Sequence, residues 1–382
     1  MQLTKENIFE LADRSTDRRP IVMPYPNDLV NEQLGRLATM EDRLTFAEKY
    51  GYTPFEDVYF SPLVNTAAQW SEQLKWEVDE TDHELFIQQR RTLETPYGRL
   101  TEQTRRDKKT GLVHKTEEMI KTAADLKALA WIIKESVRVI NERRQEIKEA
   151  LLASIVPKVE QLRGRTLSVM HFWMPHLEVV YPHFTQVTML YFMHDYPQLA
   201  RELMDEAAQY TQFLVEIGTE ADVDAMQTAL WGYEQYSPAI YENYIIPYIK
   251  PISEMTQTSG RLFWNHTCGY MKELLESKMY HRFAVDILEC LNGPPSGDVD
   301  DWLWGRRLVP EGTITKGNIE VGLLRKGPIT EIKRATHKIL VQSEGCKHIL
   351  STSDDILPGT PLAHFEAMME AVDEYSAERG LS

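Results

Sequence analysis

From residue 165 onward, short apolar runs alternate with longer stretches in which apolar side chains recur at helical spacing. The runs 166–172, 223–230, 261–266, 284–291, 313–317 and 348–352 predict strands. The stretches 197–217, 237–258 and 330–342 predict helices, each opening on a proline or a hydroxyl residue suited to a helix start. Strand and helix in turn are the pattern of β-α units around a parallel sheet.

Before residue 165 the pattern is different. An irregular stretch carries Pro20, Pro24, Pro26, Pro54 and Pro62, followed by a β-like segment at 85–100. A helical tract then opens on Thr122-Ala123-Ala124-Asp125 and spaces Leu126, Leu129, Ile133, Val137 and Ile140 along one face. The sequence therefore divides into a helical and loop extension over 1–165, packed on a main unit over 166–382. Repeated β-α units of this length favour closure on themselves. A doubly wound sheet lacks its marker, because the nearest glycine-rich turn, Gly293-Pro294-Pro295-Ser296-Gly297, places two prolines where backbone N–H groups would have to hold a phosphate. The fold expected is α/β, a (β/α)8 TIM barrel with an N-terminal extension, forming one structural unit.

Charge narrows the partners. A formal net charge of −16 opposes a sequence-independent grip on nucleic acid. Neither a membrane-length apolar run nor an N-terminal signal pattern is present, so a cytoplasmic protein is expected. Three cysteines, Cys268, Cys290 and Cys346, make a disulfide framework improbable, and thiols in a reducing compartment serve as metal ligands, nucleophiles or small buried residues.

The candidate chemistry lies in Asn265-His266-Thr267-Cys268-Gly269, which follows the apolar run Leu262-Phe263-Trp264. His266 and Cys268 fall at the C-terminal end of a predicted strand, where barrel active sites are built, and residues two apart on a strand point the same way. A second thiol arrives at Gly345-Cys346-Lys347-His348. One imidazole and two thiolates are a zinc set that leaves a position open for substrate.

The His266-Thr267-Cys268-Gly269 segment, the distant Gly345-Cys346 and Pro358-Gly359-Thr360-Pro361 together resemble the zinc signature of corrinoid-dependent methyltransferases in the uroporphyrinogen decarboxylase superfamily. Further similar segments are Gly317-Asn318-Ile319-Glu320, Ser353-Asp354-Asp355-Ile356, Phe365-Glu366-Ala367-Met368 and, upstream, Thr95-Pro96-Tyr97-Gly98. The resemblance implies zinc held by His266, Cys268 and Cys346. It also implies transfer of a methyl group between a small molecule and a corrinoid (cobalamin) carried by a partner protein.

A carboxylate near another strand end should assist, and Glu234 and Glu289 are best placed as catalytic candidates. His171, Trp173, Trp231 and Trp264 are the candidate pocket wall, or else core and rim packing. An aromatic wall without a basic group beside the metal favours demethylation of a methyl ether. Methyl transfer from methylcorrinoid to a thiol is the alternative direction. A decarboxylase of a polycarboxylated tetrapyrrole would need an arginine-rich N-terminal segment unlike Arg18-Arg19-Pro20, and a non-catalytic barrel binding protein would not need stoichiometric zinc.

Overall fold

The computed structural model describes residues 3–59, 61–108, 111 and 113–381. Among the described residues, eleven strands are β1 Phe55–Tyr59, β2 Glu77–Asp82, β3 Phe86–Thr95, β4 Gly98–Asp107, β5 Val113–Glu117, β6 Leu167–His171, β7 Ala225–Trp231, β8 Leu262–Cys268, β9 Ile287–Glu289, β10 Ile314–Ile319 and β11 His348–Thr352. They form a seven-stranded sheet in the order β1-β6-β7-β8-β9-β10-β11 and a four-stranded sheet in the order β2-β3-β4-β5. Every pairing in the larger sheet is parallel. Helices Pro197–Glu220, Ile246–Thr258 and Ile329–Gln342 fall where helical spacing placed them, joining successive parallel strands.

Alternation along these strands separates two cores. Leu167, Val169, Ala225, Leu262, Trp264, Ile287, Ile314 and Ile349 pack together on one face, with Met23, Ile8 and Ala12. The intervening Met170, Met226, Phe263, Leu288 and Leu350 face the helices. A period of two does this automatically, since neighbouring side chains on a strand point to opposite faces. Each fully buried aliphatic in these layers contributes roughly 1.5–3 kcal/mol.

The sheet starts earlier than the expected boundary near residue 165. β1 pairs with β6 from Phe55↔Leu167, so the first half of the chain supplies a strand. An extended stretch before β1 bridges Val22 to Leu350 of β11, with Met23 N–H donating to the Leu350 carbonyl at 2.8 Å. On its other side the Val22 carbonyl accepts from Thr53 N–H, also at 2.8 Å. The β-like segment 85–100 belongs to the antiparallel sheet, whose edge strand β2 is exposed throughout. The tract after residue 122 forms two helices, Asp125–Glu142 and Arg144–Leu162. No helix among the described residues is long and apolar enough to cross a membrane.

Candidate functional site

Because Trp264, His266 and Cys268 are alternate residues of β8, they share its inner face, at increasing height toward the C-terminal end of the sheet. His266 Nε2 lies 2.8 Å from Cys268 Sγ. The other ring nitrogen faces the neighbouring strand: Nδ1 is 3.4 Å from Glu289 Oε2 and 3.8 Å from Cys290 Sγ. The register pairs His266 directly with Glu289, which fixes this contact.

Glu289 is wholly buried and densely bonded. Its Oε1 accepts from the Tyr25 hydroxyl at 2.6 Å, from the Trp264 indole N–H, and from Gln227 at 3.3 Å. Its Oε2 accepts from Lys316 Nζ at 3.1 Å, and that ammonium also donates to Ser351 Oγ at 3.1 Å. Burial pushes the Glu289 carboxyl up, but Lys316, His266 and Tyr25 outweigh it and hold it down at about 2. Burial pushes the Cys290 thiol up to about 11, so at neutral pH it is a neutral neighbour of the imidazole.

Among the described residues, two ligand groups are sterically available around the imidazole: His266, Cys268 and Asp354, or His266, Glu289 and Cys290, each with its ligand atoms within 4.8 Å of one another. Asp354 lies just beyond the C-terminal end of β11, the same end of the sheet as Cys268. Cys346 is not brought to this pair. It precedes β11, and so lies at the opposite end of the parallel sheet, where Arg306 bonds to its side chain and Arg14 N–H to its carbonyl at 2.9 Å. The ligand expected at Cys346 is corrected accordingly.

Glu234 is also outside the cluster. It is exposed and accepts from Tyr270 N–H at 2.8 Å, tying the loop after β7 to the loop after β8. Gly269 has φ +91° there, and a Cβ on it would meet the Glu234 carboxylate at 1.8 Å.

The expected pocket wall splits three ways. His171 lines a cavity of ≈ 390 Å³ that reaches His266 and Gln227, and burial lowers its pKa to about 4. Trp173 and Trp231 line a separate, more apolar cavity of ≈ 490 Å³, where Tyr181 stacks edge-on against Trp173 at 5.0 Å between centroids. Trp264 lines neither; it is buried in the sheet's inner core as a donor to Glu289. Tyr25, Gln227 and Lys316 are site residues that motif reading passed over, and Asp354 lay in a motif segment without a role assigned to it. Lys316 had a legible signal, a charged residue in the middle of a buried strand, at an inward position between Ile314 and Asn318.

The profile of the family described as uroporphyrinogen decarboxylase matches residues 182–375, half of the chain. The chain belongs to the uroporphyrinogen decarboxylase family. Curated relatives include uroporphyrinogen decarboxylases of Parasynechococcus marenigrum, 27% identical over 198 residues, and of Synechococcus sp., 26% identical over 188 residues. These matches cover 47% and 46% of this chain, and the chain spans about half the length of the relatives, 50% and 47%. A solved methyltransferase from Methanosarcina mazei shares the fold with a TM-score of 0.60 at 15% identity, over 98% of this chain and 99% of that one.

Proposed function

We propose that this uroporphyrinogen decarboxylase family member is a zinc-dependent methyltransferase, moving a methyl group between a small substrate in the His266 cavity and a corrinoid carried by a partner protein in the cytoplasm. The observation that carries the reading is the two-sided environment of His266. Its Nε2 turns to a thiol and its Nδ1 to a buried carboxylate, the arrangement in which a histidine ligand is oriented and held in one tautomer. His266, Cys268 and Asp354 would hold the ion, and Glu289 would hold the imidazole. When bound, zinc supplies Lewis acidity, lowering the pKa of a thiol or stabilising a departing oxygen.

The chain's own groups orient the ligand set. Tyr25, Trp264, Gln227 and Lys316 fix both oxygens of Glu289, so the carboxylate cannot swing out to coordinate without abandoning four donors. Closure as a (β/α)8 barrel, with residues 21–23 as the eighth strand, is part of this reading and is supported by their hydrogen bonds to β11 on one side and to Thr53 on the other.

Decarboxylation, the activity named for the curated relatives, is the second reading. Against it stands the cavity's charge. Among the described residues that line it, Arg43 is the sole guanidinium, and it is already forked onto Glu56. A substrate with several carboxylates would want arginines free to pair. The methyl-ether donor keeps the support of Trp231, which pairs in register with Cys268, although the aromatic cavity there does not include His266.

The test is zinc analysis followed by incubation with free reduced cobalamin and methylated donors, and separately with methylcobalamin and thiols, watching the cobalamin spectrum. Stoichiometric zinc with turnover in either direction supports the reading. Folded protein that retains no zinc and turns over neither form sinks it.

A further inference from the structure

The cavity that reaches His266 has an uneven charge. Glu56, Asp57, Asp354 and Asp355 line it, against one arginine. Glu56 is accounted for by Arg43, whose Nε donates at 2.7 Å. Asp354 is the candidate ligand. Asp57 and Asp355 remain, and no ion pair reaches either among the described residues. They flank the 21–23 segment, Asp57 from β1 and Asp355 from the turn after β11, and burial raises the Asp57 carboxyl to about 6, with the fields of Glu56 and Asp355 adding to it. Tyr52 and Phe55 supply aromatic wall beside them.

Lys316 is felt by Asp355 through its field but forms its ion pair with Glu289 instead. It is fully buried beneath the cavity, bonded to Glu289 and Ser351, with its ammonium 3.8 Å from the centre of the Tyr25 ring. A carboxylate or sulfonate entering the cavity would therefore meet two acidic side chains that have no ion pair of their own among the described residues. An ammonium would meet two acceptors and aromatic faces, both of which attract cations. The volume, ≈ 390 Å³, suits a small molecule.

We propose that the small substrate of this site carries a cationic head, an ammonium-class group seated between Asp57 and Asp355, with its reacting end directed at Cys268 and His266. The proposal rests on the reading of this cavity as the substrate pocket of a methyl transfer. It adds a specificity that neither the zinc set nor the family membership supplies, and it makes Asp57 and Asp355 specificity-determining residues.

The test uses zinc-loaded, full-length protein and three thiols of similar size that differ in head charge: cysteamine, 2-mercaptoethanol and 3-mercaptopropionate. Calorimetric titration should rank them in that order, with cysteamine bound roughly tenfold or more tighter than 2-mercaptoethanol, a difference of about 1.4 kcal/mol. Asp57→Asn should abolish most of that preference while leaving zinc content unchanged. Asp355→Asn should act likewise, and Asp57→Asn alone carries the test if the second variant does not fold. Equal affinity for the neutral and cationic thiols, or tighter binding of the anionic one, overturns the proposal. Its failure is separable from failure of the methyltransferase reading. Cobalamin turnover with no charge preference leaves the reading and removes the cation, whereas a charge preference without turnover does the reverse.

Discussion

His266 and Glu289 sit side by side on β8 and β9, Nδ1 to Oε2 at 3.4 Å, so the carboxylate lies behind the imidazole while Cys268 lies in front of it. That order separates residues that would bind an ion from a residue that would aim one of them.

Substitutions should divide along the same line. Cys268→Ala and Asp354→Asn are each expected to lose zinc, whereas Cys346→Ser should retain it, because Cys346 lies at the other end of the sheet. Elemental analysis of the three purified variants checks this. Zinc lost from Cys346→Ser with the fold intact would restore the sequence-based ligand set.

Glu289→Gln should be strongly destabilising. It leaves Lys316, wholly buried, without its counter-charge, and breaking one half of such a pair costs about 3–5 kcal/mol. Lys316→Met alone should cost a similar amount. The double variant Glu289→Gln/Lys316→Met is expected to recover much of the stability and yet bind zinc about 10–100-fold more weakly, since the partner of Nδ1 is altered. Urea unfolding and competitive chelator titration measure the two effects separately.

Gly269→Ala should disturb the loop that follows Cys268. The new methyl would collide with the Glu234 carboxylate and sit at a φ that side chains avoid, a penalty on the order of 1–3 kcal/mol. Glu234→Ala should loosen the same loop by freeing Tyr270 N–H. The expected signature is weaker zinc binding in Gly269→Ala and a milder change in Glu234→Ala; identical wild-type affinity in both would show that this loop does not support the site.

A pH effect should come from a different place. Glu178 is fully buried and bonded through one oxygen to Leu63 N–H, and burial raises its pKa to about 8. In the unfolded chain it ionises near its ordinary 4.5. Between those values the folded state holds the extra proton, so its stability is complete below the lower value and is lost as pH rises toward the upper one. Glu178→Gln cannot ionise. It should match the parent in urea unfolding near the lower value and exceed it near the upper one by on the order of 4 kcal/mol. A parallel pH profile for both proteins would show that Glu178 is ionised in the fold.

The second half of the chain was legible because its parallel strands are buried on both faces and read as apolar runs; β11 falls on its expected bounds. β1 was missed because its Glu56 and Asp57 break that pattern, their charges being placed by the Arg43 fork and by the cavity. The antiparallel sheet was blurred for a similar reason, its edge strand being exposed on both faces and lacking any alternation. Spacing placed His266 and Cys268 together at a strand end, and the family resemblance, not the spacing, singled them out as ligand candidates. Cys346 misled although the sequence held the correction: it precedes its apolar run, whereas His266 and Cys268 end theirs, and parallel strands put those positions at opposite ends. Tyr25 could not have been found that way, because it reaches Glu289 from an irregular segment 264 residues away.

The bridge between Val22 and Leu350 also bears on how the protein reaches its native state. Nearly the whole chain must be synthesised before that contact can form, and the segment holding Tyr25 has no β11 to lie against until then. Contacts of such long sequence separation slow folding and leave strand edges open in the meantime. The Glu289 network should accordingly be among the last parts to set, so that zinc capture comes at the end of folding rather than nucleating it.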